Sequence, residues 1–146
     1  MNRLKRFPHF RQNNVSDCGP TCLRMIARYY GVDYTAEMLR RHCHVSRRGV
    51  NMLGISEGAE HIGLDTVGMK MTFSQLAEDG LFPCILYWNQ IHFVVCYGIE
   101  RDKAGSYKIH ISDPASQRLT YTQKEFERGW IGRRAEDKGC GVALML

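Results

Sequence analysis

The hydrophobic period of this chain changes once, at Pro83, and that change restricts it to folds in which a helical half precedes an antiparallel sheet. Upstream, apolar residues recur at helical spacing. Pro20 suits a first helical turn, where a missing N–H costs nothing, and Gly31 suits the position just past a last turn. Between them Cys22, Ile26, Tyr29 and Tyr30 form one apolar stripe, with Arg24 and Arg28 opposite. The helix is expected to pack on a core and present Cys18 at an exposed head. Thr35 is placed to cap a short helix to about His42, and Asn51 to cap another in which Met52, Ile55, Ala59 and Ile62 share a face. Leu64 to Val67 reads as a short strand, and Thr72-Phe73-Ser74-Gln75 as a capping box opening a helix that Gly80 closes.

Downstream, Cys84 to Trp88 is a strand-like run ended by Asn89-Gln90, followed by Ile91 to Ile99, rich in β-branched and aromatic residues. Glu100 to Gly105 is a polar turn, and Tyr107 to Ile111 alternates as a half-buried strand does. A second capping box, Thr122 to Glu125, opens a helix with Gly129 as its stop, and Val142 to Leu146 reads as a last strand. The predicted class is α+β.

The 146 residues suit one domain, 1–146, large enough for an ordinary core. Neither a repeat nor a linker interrupts them, and no stretch approaches the roughly 20 apolar residues of a membrane span. Six cysteines without a secretory start point to a reducing compartment. Cys22 reads as core. His42-Cys43-His44 is a poor metal site, because adjacent residues do not converge easily and no second ligand pair stands at zinc-finger spacing. The net charge of +5 is scattered, with dense spots only in residues 1–6 and at Arg47-Arg48, neither interleaved with aromatics. That pattern argues against a nucleic-acid partner.

Chemistry concentrates at Cys18. A thiol heading a helix meets the positive end of the dipole and unpaired N–H groups, both of which favour thiolate; the other fate of such a cysteine is a small buried hydrophobe. A reactive thiol needs a base. His9 falls in the N-terminal arm, His42 and His44 at a polar helix end, His61 in the polar phase of its helix and His110 on a hydrophilic strand face, all reading as solvated. His92 differs, because it opens the most apolar strand, where a buried imidazole needs a partner. If the hairpin is symmetric about the Asp102–Lys103 bond, His92 lies opposite Asp113, Val94 opposite Ile111 and Cys96 opposite Ile109. A slip of one residue would separate the first two onto opposite faces, and aspartate before Pro114 is also an ordinary turn residue. The backbone N–H of Cys18 and the side-chain amide of Gln12 are candidate oxyanion donors. From the residues alone Gln12 reads as an exposed loop glutamine.

Together these residues resemble the papain-like cysteine peptidase domains that remove double-glycine leaders from bacteriocins and related peptides, usually at the N-terminus of peptidase-containing ABC transporters. Gln12, Asp17-Cys18-Gly19-Pro20-Thr21-Cys22-Leu23 and Tyr29-Tyr30-Gly31 are similar to the family's nucleophile motif, His92-Phe93-Val94-Val95 to its histidine motif and Ser112-Asp113-Pro114-Ala115 to its aspartate motif. Phe126 with Trp130-Ile131-Gly132 resembles the segment that follows. The resemblance implies a papain-like fold with the active site between helices and sheet. It makes Cys18 the nucleophile, His92 the proton shuttle, Asp113 its orienter and Gln12 an oxyanion donor, with no cofactor and no metal.

The implied partners are a precursor peptide with a double-glycine leader and the transmembrane and nucleotide-binding domains of an ABC transporter. The implied place is the cytoplasmic face of a bacterial membrane, where a basic surface can rest near anionic headgroups. This sequence holds no phosphate loop, and its end in the Val142 to Leu146 element reads as that of an excised domain. An apolar groove for the leader helix is implied; Met52, Ile55 and Ile62 either line it or belong to the core. Two other functions stay open: a module that binds leaders without cutting them, and a thiol hydrolase or transferase with another acyl substrate.

Overall fold

A computed structural model describes residues 7–146; the basic spot in residues 1–6 lies outside the described residues. Three helices come first: α1 (Cys18–Tyr29), α2 (Ala36–His42) and α3 (Met52–His61). They are followed by β1 (Val67–Met71), α4 (Phe73–Asp79), β2 (Cys84–Trp88), β3 (His92–Arg101), β4 (Tyr107–Ser112), β5 (Arg118–Thr122), α5 (Gln123–Trp130) and β6 (Gly141–Met145). The strands form one sheet in the order β1-β6-β2-β3-β4-β5, every pair antiparallel. The class is α+β, as predicted.

Local chemistry sets the helix starts. Thr35 accepts from the Met38 N–H and Asn51 from the Gly54 N–H, while Thr72 with Gln75 and Thr122 with Glu125 close reciprocal capping boxes. Gly31 follows α1 with φ +97°, a conformation that costs a residue without Cβ least.

The sheet is covered on both faces. Ile85, Phe93, Val95, Tyr97 and Leu144 pack under α1, α2 and α3. Cys84, Leu86, Val94, Cys96, Ile109 and Ile111 pack instead with Phe73 and Leu76 of α4 and Phe126 and Trp130 of α5. Double coverage explains why β2 and β3 read as continuous apolar runs.

Several expectations change, and one strand is new. The first strand is Val67–Met71 rather than Leu64 to Val67, because the Leu64 N–H still bonds the Ala59 carbonyl of α3 and Gly63 turns the chain at φ +90°. β5 carried no prediction; it is an edge strand whose residues alternate between exposed and half-buried. Tyr30 is exposed while Leu23, Met25 and Ala27 are buried, so the covered side of α1 is wider than one stripe. Gly129 does not stop α5. It lies inside the helix, where a Cβ would come 2.4 Å from Trp88 Cζ2. Gly129→Ala is expected to cost about 1–3 kcal/mol by overpacking, read as a lower denaturation midpoint at unchanged slope.

The β3–β4 hairpin also differs. Cys96 pairs with Ile111 rather than Ile109, a bulge intervenes between Cys96 and Gly98, and Ile99 then pairs with Ile109. The turn closes through the Asp102 N–H to the Ser106 carbonyl and the Ser106 N–H to Asp102 Oδ1, each 2.9 Å, so it centres on Ala104. Next to the site the register is displaced by two residues, which preserves the faces that a slip of one would exchange.

Candidate active site

The head of α1 is enclosed. A Cβ on Gly19 would lie 2.6 Å from Val50 and 2.8 Å from Ile55, so the first turn is pressed against the start of α3. Cys18 is consequently 6% exposed, and the expectation of an exposed helix head does not hold. Asp17, 2% exposed, occupies the N-cap position without capping; its carboxylate accepts from Arg40 Nε of α2 at 2.6 Å. One turn into the helix the Cys22 thiol donates to the Phe93 carbonyl at 3.4 Å, and burial pushes that thiol well above its ordinary range. Cys22 is core, as expected. Its bond pins α1 to the start of β3, which brings Cys18 level with His92.

His92 Nε2 lies 2.7 Å from Asp113 Oδ1, and the neighbouring Cys18 thiol favours the charged form of the same ring. With Nε2 engaged, Nδ1 is the nitrogen left for the thiol. The Val95↔Ser112 pairing, continued by one position, sets Asp113 opposite Val94, two residues from His92. The two therefore meet as diagonal neighbours on one face rather than as a direct cross-strand pair. Asp113 Oδ1 accepts a second bond from the Ala115 N–H at 2.9 Å. Burial opposes charge on both groups, yet their mutual bond prevails. The imidazole, aided by Cys18, is raised to about 9, and the carboxyl, aided by the Ala115 N–H, is held below its ordinary value. An imidazolium–carboxylate pair beside a thiol can donate a proton to a leaving group and then take one from water.

Gln12 enters through its backbone, whose N–H donates to the Pro114 carbonyl at 2.8 Å, next to Asp113. Its side-chain Nε2 donates to the Asn14 carbonyl at 2.9 Å, and Oε1 is buried without a hydrogen-bond partner among the described residues. A primary amide has two N–H groups, so one remains for an oxyanion.

Four other histidines lie elsewhere. His42 stacks on His61 with ring centroids 3.4 Å apart, His44 pairs with Glu57 at 2.8 Å and His110 with Glu100 at 3.0 Å. His9 departs from the expectation of a solvated arm residue, because it is bonded to Ser112 and Ser116 on either side of Asp113. Neither His9 nor Arg40 stood out in the sequence. Their partners lie 103 and 23 residues away, and no local pattern signals either contact.

Beside His92 a groove of about 520 Å³ runs between Val50 and Met52 on one side and Tyr87, Ile91 and Phe93 on the other. Met52 lines it, whereas Ile55 is core and Ile62 packs against the core.

Three N-terminal helices on one face of an antiparallel sheet, with a thiol and an imidazole facing each other where they meet, form the architecture of a papain-like cysteine peptidase domain. The chain belongs to the peptidase C39 family, which it matches over residues 6–135. It is similar in structure, with a TM-score of 0.82 and 31% identity over 96% of this chain and 90% of the other, to a double glycine motif protease from an AMS/PCAT transporter in complex with the leader peptide. The peptidase domain of Streptococcus ComA shares the fold, with a TM-score of 0.77 and 23% identity, covering 96% of this chain and 97% of that one. Among curated relatives, the probable microcin-H47 secretion/processing ATP-binding protein of Escherichia coli is 34% identical over 90% of this chain. The colicin V secretion/processing ATP-binding protein of the same species is 32% identical over 88%. In both cases the match spans only 18% of the relative's length.

Proposed function

We propose that this chain cuts a peptide precursor after the glycine pair that ends its leader, and that Cys18, His92, Asp113 and Gln12 carry the reaction. Cys18 passes its thiol proton to His92 and attacks as the thiolate at the carbonyl of the second glycine, and the oxyanion takes hydrogen bonds from the Cys18 backbone N–H and the free N–H of the Gln12 amide. The tetrahedral intermediate collapses to a thioester as the C–N bond breaks and His92 protonates the leaving amine. Neutral His92 then takes a proton from water, whose oxygen attacks the thioester; collapse releases the leader acid and returns the proton to sulfur. Asp113 keeps the ring oriented throughout.

The observation that carries this reading is the setting of His92, with Asp113 at 2.7 Å on one nitrogen and the Cys18 thiol neighbouring the same ring. The near-burial of Cys18 supports glycine at the cut, since a residue without Cβ approaches an enclosed sulfur with least obstruction. The groove beside His92 is assigned to the apolar face of the leader, in the helix-in-groove mode. The transmembrane and nucleotide-binding domains of an ABC transporter, at the cytoplasmic face of a bacterial membrane, are the partners that the secretion relatives favour.

The test is cleavage, followed by mass spectrometry, of a precursor with its glycine pair and of one in which alanines replace the pair. The second is expected to react at least about 100-fold more slowly. Equal rates would favour a hydrolase of other acyl preference, and binding without any cleavage would favour a recruiting module. Ile91→Asp, at a position 85% exposed on the groove rim, is expected to raise KM for the full precursor about tenfold or more. The same variant should leave the rate on a short double-glycine peptide unchanged.

A further inference from the structure

His9 is tied to both ends of the turn that carries Asp113. Its Nδ1 lies 2.7 Å from Ser112 Oγ and its Nε2 3.2 Å from the Ser116 carbonyl. A carbonyl only accepts, so Nε2 carries the proton; in the neutral ring Nδ1 is then the acceptor and the Ser112 hydroxyl donates to it. The alternative acceptor for that hydroxyl, the Met25 thioether at 3.2 Å, is the weaker one. Burial holds His9 below its ordinary value; Arg118 and Arg11 act in the same direction, against the Ser116 bond and the charge of Asp113.

The turn itself is closed by the Ser116 N–H to the Asp113 carbonyl at 3.0 Å and the Asp113 N–H to the Gln117 carbonyl at 3.1 Å. The segment from His9 to Gln12 grips it again at Pro114, through the Gln12 N–H at 2.8 Å. Asp113 is thus braced from the side opposite His92, and the same strap carries the Gln12 amide.

We propose that His9 is a positioning residue of this peptidase: as the neutral Nε2–H tautomer it locks the Ser112-to-Ser116 turn so that Asp113 stays on His92 and Gln12 stays seated against the same turn. The proposal rests on the reading of Asp113 as the orienter of His92. Protonation of His9 replaces the acceptor at Nδ1 with a second donor, turns the Ser112 hydroxyl toward Met25 and places a cation behind Asp113 that competes with His92.

The experiment is an NMR titration of the His92 ring, with kcat and KM measured in parallel, on His9→Ala and His9→Gln. In His9→Ala the His92 midpoint is expected to fall by about one unit or more, kcat by about tenfold, and KM to stay within about twofold. Glutamine, whose amide can still reach the Ser116 carbonyl, is expected to recover at least half of the midpoint shift. A folded His9→Ala protein with an unchanged His92 midpoint overturns the proposal, because a brace that only stabilised the fold would leave that midpoint alone. Should His9→Ala not fold, Ser112→Ala removes one of the two partners while keeping the ring, and the same fall or its absence decides. His92 titrates whether or not a substrate is found, so failure of the peptidase reading leaves this readout standing.

Discussion

Cys18→Ala is expected to abolish cleavage of a double-glycine precursor, with a loss on the order of 10⁴-fold or more in kcat, while leaving the fold and leader affinity in place. The sulfur is the atom that forms the thioester in the proposed reaction, and alanine offers nothing in its stead. Truncating one buried sulfur removes about 1 kcal/mol of burial, too little to unfold a domain whose core extends over both sheet faces. The groove assigned to the leader lies apart from the deleted atom. The variant should therefore bind precursor and not cut it, which mass spectrometry and a binding isotherm can separate. It also loses one of the two partners that raise the His92 imidazole, so the ring should titrate below about 9. Turnover surviving Cys18→Ala would sink the peptidase reading.

Asp113→Ala is expected to lower kcat by about 10² to 10³-fold and to move the alkaline limb of the rate profile downward. His92 is needed as an imidazolium to protonate the leaving amine, so the rate should fall as pH rises through about 9. Without Asp113 the hydrogen bond and charge that hold the ring up are gone, burial is opposed by Cys18 alone, and the limb retreats toward 6.5. Asp113→Asn separates orientation from charge. The His92 and Ala115 N–H groups both donate to Oδ1, so an amide oxygen is held in that place and the ring stays aligned. Asparagine should keep more activity than alanine, yet its alkaline limb should still fall. Linkage has the same sign: a raised imidazole stabilises the fold fully below 6.5, and that contribution is lost as pH passes through about 9. Equal profiles for Asp113→Asn and the parent would remove charge from the account.

Helix starts were legible because a cap and the backbone N–H that donates to it lie three residues apart. Thr35, Asn51, Thr72 and Thr122 all act where their sequence context places them. Edge strands were less legible. β1 and β5 are each five residues long and bury little, so their alternation is too short to stand out. Gly129 resembles a helix stop in sequence, and only the ring of Trp88 across the interface shows that its missing Cβ makes room instead. The His92 and Asp113 contact was anticipated from a register two residues out. The pairing survived because an error of two keeps both side chains on one face.

By itself the sequence determined the class of fold, the order of the helices and central strands and the residues that could do chemistry, since caps, periods and motifs are written within a few neighbouring positions. The tertiary structure decided the bulge after Cys96, the closing of α3 over the head of α1, and the grip of Arg40 on Asp17 and of His9 on the turn around Asp113. Those contacts join residues up to 107 positions apart, where packing rather than local propensity selects the neighbour.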